Sequence, residues 1–225
     1  MARPTRVSRA LSQNFLADRT AAGRLARLAV PLGREAPLLL EVGAGKGALT
    51  EQLAPHCRRL LAYEIDPRLV AALRSRFSDT PQVRVVGEDF LTARPPRTPF
   101  SVAGNVPFSR TAAIVDWCLR APALTDATLL TQLEYARKRT GDYGSWTRLT
   151  VLTWPRYEWR LAGRVGRYSF RPVPRVDAGI IRIERRLLFV GIVGGHAGPN
   201  REARLPGRAR RGRRAARRLP GAPRR

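Results

Sequence analysis

The chain has 225 residues, 44% of them hydrophobic, which is enough to bury a core in one or two domains and excludes wholesale disorder. No apolar run approaches the roughly 20 residues of a membrane-crossing helix, and the polar, basic Met1–Leu16 segment lacks the apolar stretch of a secretion signal. Forty-two basic residues against 17 acidic ones give a net charge of +25, which points to a polyanionic partner, RNA or DNA first.

In chain order, Asp18 is placed to cap a helix running to about Val30, with Ala22, Leu25, Leu28 and Ala29 on its apolar face. Pro37–Val42 reads as a buried strand and Leu60–Glu64 as a second, followed by a helix opening at Pro67. Val83–Val86 and Phe100–Ala103 are two more strands. Thr111–Leu119 reads as a helix, Thr128–Leu133 as the next strand, and Ile180–Ile183 ends the folded pattern. Strands alternating with helices predict an α/β fold with a parallel sheet. Residues 201–225 hold eleven Arg and one acid, with almost nothing to bury, and are expected to be a disordered RNA-binding tail.

Only Lys46 and Lys138 are lysines, so 40 of the 42 basic residues are arginine, whose planar fork pairs with phosphate at two points and stacks on bases. Cys57 and Cys118 lie far apart, so neither a disulfide framework nor a zinc ribbon is supported, and a reducing cytoplasm fits. His56 and His196 are the only histidines, and neither sits in a catalytic setting.

The most informative stretch is Glu41-Val-Gly-Ala-Gly-Lys-Gly47, directly after the first strand. Glycines at 43, 45 and 47 permit a tight turn that brings main-chain amides against a ligand at a helix start. Glu64, in Tyr63-Glu-Ile-Asp66, follows at the distance from which a carboxylate can accept from both ribose hydroxyls of a nucleoside cofactor. On these residues NAD and S-adenosylmethionine are both open. Asp89, in Gly87-Glu-Asp-Phe-Leu91, reads equally as an acceptor for an adenine amino group or as a cap of the next turn. Asn105-Val-Pro-Phe108, after the fourth strand, favours amino-methylation. The Asn carbonyl and a neighbouring main-chain carbonyl can accept both N–H bonds of an exocyclic amine, Pro107 stiffens the backbone, and Phe108 can stack on an unstacked base.

These segments, together with Gln13-Asn-Phe-Leu16, Asp89-Phe-Leu91, Trp154-Pro155 and Phe170-Arg-Pro-Val-Pro-Arg-Val-Asp177, resemble the erythromycin-resistance (Erm) rRNA adenine N6-methyltransferases of the wider rRNA adenine dimethylase group. The resemblance runs from about Ser12 to Arg186. It implies a Rossmann-like class I S-adenosylmethionine-dependent methyltransferase fold, with a mainly parallel seven-stranded sheet flanked by helices. It further implies methylation of an adenine N6 in 23S rRNA, conferring resistance to macrolide, lincosamide and streptogramin B antibiotics. A small-subunit rRNA dimethylase, or an RNA-binding protein that keeps the fold without catalysis, are the alternatives.

The same resemblance implies roles for single residues. Asn14 and Leu16 would line the methionine end of S-adenosyl-L-methionine, with Gly43 and Gly45 in the turn beneath. Glu64 would bind the ribose, Ile65 would pack on the adenine, and Asp89 would take its amino group. Asn105 would bridge cofactor and target amine with the Val106–Pro107 backbone, Phe108 would stack on the target base, and Phe170 would either cover that base or serve as a core aromatic. Three departures stand out: Phe108 where many relatives have Tyr, Val106 where Ile or Leu is usual, and Leu187–Asn200 where a helical domain normally begins. The expected organisation is therefore a basic segment 1–17, a catalytic domain 18–186, and a Gly-rich segment and Arg-rich tail 187–225 without the usual helical domain. A cytoplasmic monomer acting on 23S rRNA, with no metal and no membrane, is expected.

Overall fold

A computed structural model describes residues 14–142 and 144–186. The expectations for residues 1–13 and for the Gly-rich segment and Arg-rich tail at 187–225 lie outside the described residues.

Seven strands form one sheet: β2 (Leu39–Val42), β3 (Leu60–Tyr63), β4 (Val83–Val86), β5 (Phe100–Asn105), β6 (Leu124–Gln132), β7 (Tyr157–Val165) and β9 (Ala178–Arg185), in the order β4-β3-β2-β5-β6-β9-β7. The pairs from β4 through β6 are parallel, and β9 runs antiparallel to both its neighbours. A separate two-stranded ribbon pairs β1 (Phe15–Leu16) with β8 (Phe170–Arg171). The helices are α1 (Arg19–Ala29), α2 (Ala48–Leu53), α3 (Pro67–Arg76), α4 (Thr111–Arg120), α5 (Leu133–Thr140) and α6 (Arg148–Thr153).

The central strands are buried on both faces, which is why they read as unbroken apolar runs. The pleat sends Leu40 and Val42 into one hydrophobic cluster, with Ile114, Val115 and Trp117 of α4, and Leu39 into the other, with Leu25 and Ala26 of α1. Caps start the helices where the sequence predicts them. Asp18 Oδ1 accepts from the amides of Thr20 (2.8 Å) and Ala21 (3.2 Å), and Asp66 accepts from Arg68 N (2.9 Å) with Pro67 at the first helical position.

Several boundaries shift by a residue or two from expectation, and three of the differences have a plain physical cause. The strand expected over Pro37–Val42 begins at Leu39, since proline has no N–H for the ladder. The strand expected over Thr128–Leu133 begins four residues earlier, at Leu124, because polar Thr125 and Asp126 each find a partner on β5 there. Asp126 accepts from the Ser101 hydroxyl at 2.8 Å, and Thr125 donates to Phe100 O at 2.9 Å. Leu133 instead opens α5, its N–H donating to Asp177 O at 3.0 Å. β7 carries no sequence expectation at all. It is an edge strand whose alternation, Tyr157 and Trp159 inward, breaks at a bulge between Leu161 and Gly163.

The strand order reverses around β2: β3 lies on one side and β5 on the other. In an open α/β sheet the crevice at the carboxyl ends of such strands is where ligands bind. The loops leaving β2 and β5 are residues 43–47 and 106–110, the two motifs singled out in the sequence.

Candidate active site

Gly43, Gly45 and Gly47 all lie in the left-handed region, with φ of 69°, 58° and 81°. Gly45 is doubly constrained, because a Cβ there would come within 3.0 Å of the Phe15 ring. Gly104, inside β5, is needed for a different reason: its missing Cβ would lie 2.6 Å from the carbonyl oxygen of Val42. Only glycine lets β5 approach β2 closely enough to bring Asn105 beside the glycine loop.

Glu64, at the end of β3, is 2% exposed and knits that loop together. Its Oε2 accepts from Gly45 N (2.8 Å), and its Oε1 from Ile65 N (2.8 Å) and Asp66 N (2.9 Å). A carboxylate has about four acceptor sites, so one is left for a ligand hydroxyl. Glu41, in β2, is buried and accepts the Thr50 hydroxyl at 2.7 Å. Burial pushes its carboxyl up to about 7; the Thr50 bond opposes the rise and nearby Glu64 adds to it.

The loop after β5 presents the remaining groups. Asn105 Nδ2 donates to the main-chain carbonyl of Asn14 at 2.8 Å, which commits the nitrogen and leaves Oδ1 as the acceptor. Val106 is buried and donates its N–H to Leu130 O at 3.2 Å, anchoring the loop to β6. Phe108–Arg110 form a 3-10 turn closed by Arg110 N donating to Pro107 O at 2.9 Å. Phe108 is half-buried on the rim.

Two clefts meet here. The first, about 390 Å³, is lined by Asn14, Phe15, Gly43, Gly45, Glu64 and the Asn105–Phe108 loop. The second, about 410 Å³, shares Gly43, Glu64 and Pro107 and adds Ile65, Asp89 and Arg110. Leu16 lines a small recess next to the first, with Gly43, Gly45 and Asn105. Asn14, Leu16, Gly43, Gly45, Glu64, Ile65, Asp89, Asn105, Pro107 and Phe108 are thus brought to one place from five separate stretches of chain.

The geometry bears on two sequence readings. Asp89 is a cap, Oδ1 accepting from Leu91 N at 3.0 Å, and it also lines the second cleft. Phe170 has no exposed surface and lines neither cleft. It packs in the core with Leu16, Leu25, Val165 and Ile180, so in this conformation it stands as a core aromatic and not as a cover for a base. Phe15, Gly104 and Arg110 are site residues that sequence reasoning missed. Phe15 sits inside the quoted Gln13-Asn-Phe-Leu16 motif, and its contact with Gly45 is visible only in three dimensions. Among the described residues, no group of three or more His, Cys, Asp or Glu is placed to hold a metal, and no helix is long and apolar enough to cross a membrane.

A family model described as ribosomal RNA adenine dimethylase matches residues 5–188. An rRNA adenine N-6-methyltransferase of Streptomyces fradiae is 66% identical over 185 residues, covering 80% of this chain and 57% of that protein. The mycinamicin-resistance protein MyrB of Micromonospora griseorubida is 43% identical over 176 residues, covering 78% of this chain and 55% of its own. The crystal structure of the 23S rRNA methyltransferase ErmE superposes with a TM-score of 0.74 at 52% identity, covering 77% of this chain and 70% of that one. The chain spans about half the length of the curated relatives it matches.

Proposed function

The chain belongs to the ribosomal RNA adenine dimethylase family, and on that premise we propose that it transfers methyl from S-adenosyl-L-methionine to N6 of an adenine in 23S rRNA, in the cytoplasm, and so confers macrolide-lincosamide-streptogramin B resistance. The observation that carries the reading is the Asn105 side chain, oriented by its bond to Asn14 O and set at the mouth of a cleft floored by the glycine loop. The neighbour ErmE, 52% identical, is named a 23S rRNA methyltransferase, which favours the large-subunit target. The relatives named as small-subunit methyltransferases are 34% and 36% identical, against 66% for the Streptomyces fradiae protein.

The residues present fit the cofactor. The left-handed glycines bare the main chain at the start of α2, and Glu64 keeps one acceptor site in a cleft shared with Ile65 and Asp89. When bound, S-adenosylmethionine supplies an electrophilic methyl group. Glu64 holds the ribose, Ile65 the adenine face, and Asn14, Leu16 and the Gly43–Gly45 turn the methionine end.

The chain itself positions the nucleophile. Asn105 Oδ1 accepts one N–H of the target amine. The carbonyl of Pro107 already accepts from both Arg110 N and the Thr111 hydroxyl, so that of Val106 is the second acceptor. Drawing both N–H bonds into this fork turns the nitrogen lone pair out of conjugation with the ring. Phe108 stacks on the extruded base, a contact worth about 1–3 kcal/mol. No residue has to remove a proton before attack.

The test is tritiated methyl transfer to protein-free 23S rRNA, with 16S rRNA alongside and Asn105→Ala as control. Label on 23S alone, lost in the variant while S-adenosylhomocysteine binding persists, is expected. Equal activity of the variant overturns the role of Asn105, and label on 16S alone overturns the target.

A further inference from the structure

Asp89 uses both carboxylate oxygens within the protein. Oδ1 accepts from Leu91 N at 3.0 Å, and Oδ2 accepts from Arg110 Nη2 at 2.8 Å. Both partners of the ion pair are only about a quarter exposed, at 28% and 26%, and both line the second cleft. Among the described residues, Arg110 is the only arginine lining either of the two clefts. Its own backbone N–H closes the 3-10 turn on Pro107 O, so a single residue ends the loop that carries Asn105 and Phe108 and also grips the acid of the neighbouring cleft.

An exposed ion pair contributes little and positions little. This one has a chemical consequence because of where it sits. Without Arg110 the Asp89 carboxyl is held by one amide and can rotate about its Cβ–Cγ bond. With the guanidinium on Oδ2, both oxygens are fixed, and the second acceptor site of Oδ2 keeps a set direction for one further donor. The 6-amino group of an adenine is such a donor.

We propose that Arg110 is a positioning residue, orienting Asp89 to accept from the 6-amino group of the cofactor adenine and tying occupancy of that pocket to the loop that holds the target base. The inference rests on the proposed use of S-adenosylmethionine. A guanidinium that instead awaited an RNA phosphate would act on RNA affinity and its salt dependence, not on the adenine pocket.

The experiment measures the Kd of S-adenosylhomocysteine, and of its purine analogue lacking the 6-amino group, by calorimetry on the full chain. Wild type, Arg110→Ala and Arg110→Lys are compared, with melting temperature as a folding control. Arg110→Ala is expected to bind S-adenosylhomocysteine roughly tenfold more weakly, equivalent to about 1.4 kcal/mol, and the amino-less analogue within about twofold of wild type. Arg110→Lys, which keeps the charge, is expected to recover part of the loss. An equal loss for both ligands assigns Arg110 to loop integrity and overturns the proposal, as does unchanged affinity for S-adenosylhomocysteine in Arg110→Ala. Failure of wild type to bind S-adenosylhomocysteine overturns the cofactor reading itself, and this proposal with it.

Discussion

Glu41→Gln separates what burial does to one carboxyl from everything else the site contains. Glu41 is 1% exposed, its Oε2 takes the Thr50 hydroxyl at 2.7 Å, and its carboxyl is pushed from the ordinary 4.5 to about 7. At about 1.4 kcal/mol per tenfold change in proton affinity, that displacement corresponds to about 3 kcal/mol. The native protein holds this proton more tightly than the unfolded chain does, so unfolding releases it between pH 4.5 and about 7. Stability from this group is therefore complete below pH 4.5 and is lost as pH rises through about 7. Glutamine keeps a carbonyl oxygen for Thr50 and carries no charge at any pH. Asp18 and Asp177, held low chiefly by the Ala21 amide and the Arg164 guanidinium, act in the opposite sense at still lower pH, equally in both proteins. Urea unfolding of wild type and Glu41→Gln across that pH range should give similar stability at the acid end. The variant should gain by about 3 kcal/mol once pH exceeds about 7. Parallel pH profiles, or a variant weaker than wild type above neutrality, would refute the assignment of a buried, protonated Glu41.

Gly104→Ala should destabilise the fold by about 3 kcal/mol or more, because the added methyl meets the Val42 carbonyl at 2.6 Å and a sheet backbone cannot give way locally. A urea midpoint close to wild type would sink that account. Phe170→Ala should cost about 3–5 kcal/mol of stability through the cavity it leaves among Leu16, Leu25 and Val165. Little loss of stability with a raised KM for RNA would return Phe170 to the role of a base cover.

Much of the site was legible in the sequence because it depends on residue types that the local chain demands. Gly43, Gly45 and Gly47 announce left-handed turns, Asp18 and Asp66 with Pro67 announce helix starts, and Glu64 falls at the end of a strand whose apolar run is unmistakable. β4 was readable to the residue for the same reason. Where those cues fail, so did the reading: β7 lies at the sheet edge, half solvated, and its alternation is broken by the bulge at Leu161 and Gly163. Pairing residues whose spacing along the chain has no period could not be foreseen at all. The Asn105 bond to Asn14 spans 91 residues, and the Arg110 bond to Asp89 spans 21.

The sequence by itself determined the alternation of strands and helices, the positions of the two loops that carry chemistry, and the excess of positive charge. Each follows from local sterics, hydrophobic period or composition, and needs no partner in space. Only the tertiary structure decided that the loops after β2 and β5 face each other at the reversal of strand order, that Asn105 is turned by a distant carbonyl, and that Phe170 belongs to the core. Those outcomes depend on which strand lies beside which, and on a close approach at Gly104 that a single missing Cβ permits.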